Sequence, residues 1–408
     1  MLSRSFIALY VSVFVATMGI SMVSPLLPVY AKELGASGVW LGLTFSIFAI
    51  VQTIFGPFAG RLSDRYGRKP FIMAGLIIYM ISALGYLTAQ SFFQVIAFRA
   101  FSGLGTSLIF SVAQAYLGDL TPPGHEGRWS GAFATANVIG FGTGPLFAGV
   151  FRQVFGFHSV FIAMAVLMAL SATIVGMWLP KRPRRAGPTG THVVATAPTV
   201  GFRNALSNRL VVALTIHMAL ISLAVGSSLS FLALRLDNDL HIRPIPIGLA
   251  FASQDITGGL TQPFFGRLAD RGRRRLLVAA GLGFYGTFVL MLSVAHTFPT
   301  IVLLLFLMGG SNGLSQVSAG ALQIVAGRRV GMGTLLGLTS AGNGIGIVVG
   351  SVVGGLLVDQ FSISAAFVFS GLVILFGVAV FLTLTRGVDT SGGASLMPVE
   401  AIPRAGSA

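Results

Sequence analysis

Runs of about 20 apolar residues dominate the chain, each long enough to cross the hydrocarbon core of a bilayer as a helix. Twelve such runs lie near 5–31, 39–60, 70–90, 92–118, 129–151, 157–179, 209–235, 245–266, 276–296, 298–325, 331–358 and 361–385. Short polar segments separate them, except for residues 180–208, which are rich in Pro, Arg, Thr and Gly and read as a linker. The tail after about 386 is rich in Gly, Ser and Pro and predicts disorder. The pattern predicts an all-α integral membrane protein with twelve transmembrane helices. Its parts are a six-helix bundle over 1–180, a linker over 181–208, a second six-helix bundle over 209–386 and a tail over 387–408.

The two sets of six repeat one another. Residues 60–69 read Gly-Arg-Leu-Ser-Asp-Arg-Tyr-Gly-Arg-Lys, and most of that phrase returns at 266–275. A constant shift of 206 carries Gly42, Phe45, Pro57, Gly60, Asp64 and Arg65 onto Gly248, Phe251, Pro263, Gly266, Asp270 and Arg271. The same shift carries Asn137, Gly140, Gly144 and Gly149 onto Asn343, Gly346, Gly350 and Gly355. The second phrase lacks a counterpart of Tyr66, and the register returns after it. Parallel six-helix repeats of this kind are related by an axis along the membrane normal, so the sequence predicts two pseudo-symmetric bundles.

Composition strengthens the membrane reading. The chain is 54% hydrophobic and 9% charged, where a soluble domain carries roughly 25% charged residues. The 53 glycines suit helices that pack through small side chains. The net charge of +15 could suggest nucleic acid, but placement argues against it. With the N-terminus in the cytoplasm, 21 of the 26 Lys and Arg fall in cytoplasmic segments. Lys32, Arg152, Arg235 and Arg243 fall outside, and Arg99 lies inside a span. Cationic loops stay cytoplasmic, so both termini are expected inside, in the inner (cell) membrane. The first span is too long for a signal peptide and lacks a small-residue cleavage site. All three Trp (40, 129 and 178) stand at span ends, where indole rings prefer the headgroup layer. Cys is absent, the six His are scattered, and no phosphate-binding Gly-rich loop occurs. No metal site, cofactor or ATP-driven step is therefore expected, and no paired acid and base point to an enzyme.

Three motifs carry a resemblance to a known family. Gly60, Leu62, Asp64, Arg65, Gly67, Arg68 and Lys69 form the loop phrase between the second and third spans. Arg99, Gly103 and Gly105 stand in the fourth span, with Ser102 where Gln is more usual. Gly140, Gly144, Pro145 and Gly149 stand in the fifth, with Ala148 in place of a glycine. Over roughly 5–385 the chain resembles the major facilitator superfamily, and within it the twelve-helix drug:proton antiporter branch. The resemblance implies that the loop phrase is a conformational latch stabilising the outward-facing state. Its residues here are Gly60, Asp64, Arg65, Gly67, Arg68 and Lys69, with Asp119, Asp270 and Arg271. Physically, Asp64 can pair with an Arg or sit against a helix N-terminus, which stabilises a negative charge by about 0.3–1 kcal/mol; alternatively the cations only fix topology. The fifth-span motif is the one associated with antiporters. Gly140 and Gly144 share a face that admits a close neighbour, and Pro145 removes a backbone hydrogen bond; tight packing without gating is the plainer reading.

Ionisable groups within spans are few, and at mid-bilayer each costs about 2.5–3.5 kcal/mol on insertion scales. Asp255 is the one carboxylate deep in a span, and its counterpart is Ala49. A proton and a cationic substrate would exclude one another at such a carboxylate, which is a minimal antiport mechanism. A static ion pair or an Asp facing a watery vestibule are the alternatives. The family resemblance implies that Arg99 assists proton release. His217 titrates in a useful range, although a lone helical His is more often structural. Gln52, Gln114, Asn137, Gln254, Asn312, Gln316 and Asn343 are expected to line the central cavity, unless they serve only hydrogen bonds between helices. One proton crossing 100 mV supplies about 2.3 kcal/mol and one pH unit about 1.4 kcal/mol. Together these sustain roughly a 500-fold gradient of a neutral substrate. The expected function is export of lipophilic or cationic small molecules by proton antiport, in a monomer. The alternative is a proton-coupled or facilitative carrier for a metabolite such as a sugar or organic acid.

Overall fold

The computed structural model describes residues 4–121, 126–180, 202–270 and 274–387. Its long helices are α1 (Arg4–Glu33), α2 (Gly38–Tyr66), α3 (Arg68–Thr88), α4 (Phe92–Leu120), α5 (Glu126–Phe155) and α6 (Phe157–Trp178). After a single turn at Phe202–Ala205 come α7 (Arg209–Asp239), α8 (Pro244–Asp270), α9 (Arg274–Leu292), α10 (Phe298–Val330), α11 (Met332–Gln360) and α12 (Ile363–Leu384). Among the described residues, eleven of these are both long and apolar enough to cross a membrane. The exception is α8, which is long enough but carries Gln254, Asp255 and Gln262. Most of the linker expected at 181–208, and the tail from 388, lie outside the described residues.

Local sequence sets the joints. Met22 separates the two segments of α1, Arg4–Ser21 and Val23–Glu33, and Pro25 falls in the first turn of the second, where its missing N–H is harmless. Gly67 joins α2 to α3 at φ +97°, a left-handed conformation that side chains rarely adopt. That requirement explains the glycine of the loop phrase. In α7 the regular helix widens into π turns at Val225–Leu229 and Arg235–Asp239.

Buried apolar residues form two cores. One gathers α1 to α6 around Tyr79, Tyr86, Tyr116 and Phe161, and the other gathers α7 to α12 around Phe251, Tyr285, Phe367 and Phe381. Within each, small residues let backbones touch. A Cβ on Gly140 would stand 1.9 Å from the Thr17 hydroxyl, and one on Gly346 would stand 2.2 Å from the Ala219 carbonyl oxygen. The two bundles repeat one another down to single hydrogen bonds. Tyr30 donates to the carbonyls of Tyr86 and Ala89, and Arg235, one residue before the counterpart of Tyr30, donates to those of Leu292 and Ala295, which lie 206 residues further on. Lys69 donates to the Gly176 carbonyl, and Arg275 to that of Leu382, again at a shift of 206. The register lost after the second loop phrase is thus restored by Arg275.

The bundles meet along α2 with α11 and α5 with α8, and they meet unevenly. At the face away from the loop phrase, a Cβ on Gly42 would stand 2.0 Å from the Ser351 carbonyl oxygen, and one on Gly248 would stand 2.3 Å from that of Pro145. These two contacts are also related by 206. Close approach continues to mid-helix, where Gly344 meets Thr53 and Gly259 meets Val138. Nearer the loop phrase, Gly60, Gly131 and Gly333 have nothing within 4 Å of a would-be Cβ. The bundles therefore seal the face opposite the loop phrase and part towards it.

Candidate substrate and proton site

Below the seal lies a cavity of about 230 Å³, bounded by both bundles. From the first bundle, Ser21, Phe45, Phe141 and Pro145 line it; from the second come Val225, Leu229, Ser230, Phe251, Gln254, Asp255, Tyr285 and Asn312. Phe45 and Phe251 are counterparts at a shift of 206, so the aromatic walls follow the duplication. Its amides and its acid do not: the counterparts of Gln254, Asp255 and Asn312 are Phe48, Ala49 and Thr106. The duplicated frame thus holds an asymmetric polar patch, almost all of it on the second bundle.

Asp255 is at the middle of α8, and its side chain is open to the cavity. Among the described residues it makes neither an ion pair nor a hydrogen bond; the ion pairs formed there are Arg68 with Asp64 and Asp119, and Arg152 with Asp237. Opposite it, α5 comes close at Gly142, where a Cβ would stand 3.6 Å from the Asp255 Cβ. A carboxylate at this depth with no protein cation beside it can be neutralised by a proton or by a cationic guest. Gln254 flanks it, only 8% exposed, and Asn312 has its Oδ1 buried without a partner. The static ion-pair alternative has no partner among the described residues.

Arg99 is buried in the first bundle, 5% exposed. Its guanidinium lies 4.1 Å over the Phe48 ring and 5.6 Å from that of Phe45, an arrangement that favours a cation through the ring quadrupole. Its Nε and Nη1 have no hydrogen-bond partner. Phe45 therefore both lines the cavity and neighbours Arg99. His217 is fully buried in α7 with both ring nitrogens unpartnered and the Phe381 ring 6.2 Å away; it does not line the cavity.

Of the seven amides read as cavity-lining, Gln254 and Asn312 do line this cavity. Asn343 accepts from the Ser222 hydroxyl at 2.5 Å, and Asn137 donates to the Phe133 carbonyl one turn back. Gln52 and Gln316 are half-buried and Gln114 is exposed, all outside the cavity wall. Ser21, Ser230 and Tyr285 are additional polar members. Val225 and Leu229 reach the wall from the π turn of α7, a local widening common at functional sites; the Gly-Ser-Ser run at 226–228 marks it in the sequence.

In the fifth-span motif, Gly140 and Gly144 pack α5 on α1, with the Ser21 hydroxyl donating to the Gly140 carbonyl. Pro145 lines the cavity, and Gly149 seats α5 on Pro244 at the start of α8. In the loop phrase, Arg68 bonds Asp64 at 2.5 Å, Asp119 at 3.0 Å and the Ser63 hydroxyl at 2.8 Å, all within the first bundle. Arg65 stacks beside Tyr66. Arg271 lies outside the described residues, and only the backbone of Asp270 is described.

Known proteins match the chain over most of its length. The family model for the Major Facilitator Superfamily matches residues 9–235 and again 216–398. The chain is 27% identical over 382 residues to the multidrug resistance protein MdtG of Yersinia enterocolitica, covering 91% of each. It is 25% identical over 360 residues to the quinolone resistance protein NorA of Staphylococcus aureus, covering 88% of this chain and 91% of the relative. Among solved structures, a bacterial homolog of the human lysosomal transporter Spinster superposes with a TM-score of 0.79 at 15% identity, covering 93% of this chain and 96% of that one.

Proposed function

The chain belongs to the Major Facilitator Superfamily, and we propose that it exports lipophilic, cationic small molecules in exchange for protons by alternating access. The observation that carries this reading is the unpartnered Asp255 carboxylate in an aromatic cavity between the bundles. A cation entering that cavity gains the charge of Asp255 and the ring faces of Phe45, Phe141, Phe251 and Tyr285. A proton on Asp255 removes the first of these attractions, so the two ligands compete for one group. Competition at a site that opens alternately to either side yields exchange. Two relatives of similar length carry drug-resistance names, multidrug for MdtG and quinolone for NorA, which supports drugs as the substrate class.

Sidedness follows from the cationic loops. The face that holds the loop phrase and both termini is the cytoplasmic one, the membrane is the inner (cell) membrane, and the state described here is inward-facing. The latch is then disengaged: Asp64 is spent on Arg68 of its own bundle and the space around Gly60 is empty. In the outward-facing state Gly60, Asp64 and Gly67 meet the start of α11, with Asp270 and Arg271 as the paired set. Arg99 acts on the proton route from behind Phe45, whereas His217 is a packing residue. Residues 1–180 and 209–386 move as the two bodies, joined by 181–208, and a single chain completes the pathway.

The test is drug-triggered proton movement in proteoliposomes containing a trapped pH dye, under an imposed pH gradient. Drug-dependent flux supports exchange, and no flux with any drug in a panel of cationic and neutral compounds turns the reading towards a metabolite carrier.

A further inference from the structure

We infer that Asp359 and Gln153 form a two-part clasp that holds the face opposite the loop phrase closed, each capping the first turn of a helix in the other bundle. The inference concerns the gate rather than the cargo, and it rests on the proposed alternating access only in taking that face to open.

The geometry is specific. At the end of α11, the Asp359 carboxylate accepts from the Gly38 N–H at 2.5 Å through one oxygen and from the Val39 N–H at 2.9 Å through the other. These are the opening residues of α2, which has no cap of its own: Ser37 occupies the cap position but its hydroxyl makes no cap bond. The first turn of a helix exposes N–H groups that need acceptors, and it favours a negative charge. Here the acceptor arrives from the other bundle. At the related position, 206 residues earlier, Gln153 at the end of α5 accepts from the Ile245 N–H at 3.2 Å at the start of α8. The chemistry of each acceptor matches the donors it meets. Gly38 and Val39 offer two N–H groups to a two-oxygen carboxylate. Their counterparts are Pro244, which has no N–H, and Ile245, which offers one to an amide with a single oxygen. Next to Gln153 in the chain, Arg152 of α5 forms a bidentate pair with Asp237 of α7, at 2.7 and 3.0 Å, and ties the bundles at the same face.

Opening that face breaks both caps. Ser37 is placed to take over one α2 donor from within its own bundle, whereas its counterpart Arg243 has no acceptor to offer. Ser37 and Asp359 therefore act in opposite directions on one equilibrium. Asp359 stabilises the closed face and Ser37 the open one.

The chain has no cysteine, so His158→Cys and His296→Cys, exposed at this face on the first and second bundles, can carry a pair of spin labels. Double electron–electron resonance in nanodiscs, without substrate, then reads the ratio of long to short separations. Loss of an N-cap is worth about fivefold. Asp359→Ala is expected to raise the ratio by about that factor and Asp359→Asn, which keeps one acceptor, by less. Adding Gln153→Ala to Asp359→Ala raises the ratio further, and Ser37→Ala lowers it. An unchanged ratio in both Asp359→Ala and the double variant overturns the clasp, as does a rise in Ser37→Ala. Because the distances are read without flux, the clasp can fail while drug export stands, and drug export can fail while the clasp stands.

Discussion

Replacing Gly42 by Ala tests whether backbone contact seals the cavity. A Cβ there would stand 2.0 Å from the Ser351 carbonyl oxygen, where ordinary contact begins at 3.4 Å. The obstacle is backbone on the opposite helix, so no rotamer change relieves it; α2 and α11 must separate by about 1.4 Å, the difference of those two distances. Overpacking of this kind costs roughly 1–3 kcal/mol, and all of it falls on the closed state. The open-to-closed ratio at this face is therefore expected to rise roughly 5- to 150-fold. Gly248→Ala, against the Pro145 carbonyl at 2.3 Å, should act in the same direction. Gly60→Ala has nothing within 4 Å in this state, so it cannot penalise it and should leave the ratio unchanged or lowered. The spin-label pair at positions 158 and 296 reads all three. If Gly42→Ala keeps the wild-type distribution, or Gly60→Ala opens this face, the sealing argument is refuted.

Three further outcomes follow from the same geometry. His217→Leu removes a buried ring whose two nitrogens have no partner, a burden of about 1–3 kcal/mol per unsatisfied group. It should raise the melting temperature in detergent and leave proton-coupled flux intact; lost flux would give His217 a part in coupling. Arg235→Lys exchanges a fork that serves the Leu292 and Ala295 carbonyls together for a point donor. It should destabilise the second bundle by about 1 kcal/mol, read as a lower melting temperature. Protonated amines can hydrogen-bond Asp255 and the flanking amides of Gln254 and Asn312, whereas quaternary ammonium ions offer no N–H. Matched pairs should therefore differ by roughly tenfold in apparent affinity, about the worth of one good hydrogen bond to a charged group; equal affinities would leave only charge and ring contacts to select the guest.

Much of this was legible in the sequence because lipid imposes length and polarity so strictly. Helices longer than 20 apolar residues declare themselves, and a lone Asp255 stands out because its cost demands compensation. The shift of 206 already paired Gly42 with Gly248, yet it could not tell which end of those helices would touch. That depends on the state of the gate. The amides divided as they did because an Asn or Gln in lipid is satisfied equally well by a neighbouring carbonyl, as at Asn137, or by a cavity, as at Asn312. The π turn of α7 left only a Gly-Ser-Ser run, which reads equally as small-residue packing. Nothing local in the sequence marks Asp359, since its two donors lie more than 300 residues away in the chain.

The most direct test of the account is proton movement into dye-loaded proteoliposomes on addition of a cationic drug, comparing wild type with Asp255→Asn. Drug-triggered proton flux is expected in wild type and its loss in Asp255→Asn, with the variant still folded and still binding the drug's neutral analogues. Proton flux that survives the substitution would contradict it and move the coupling group elsewhere.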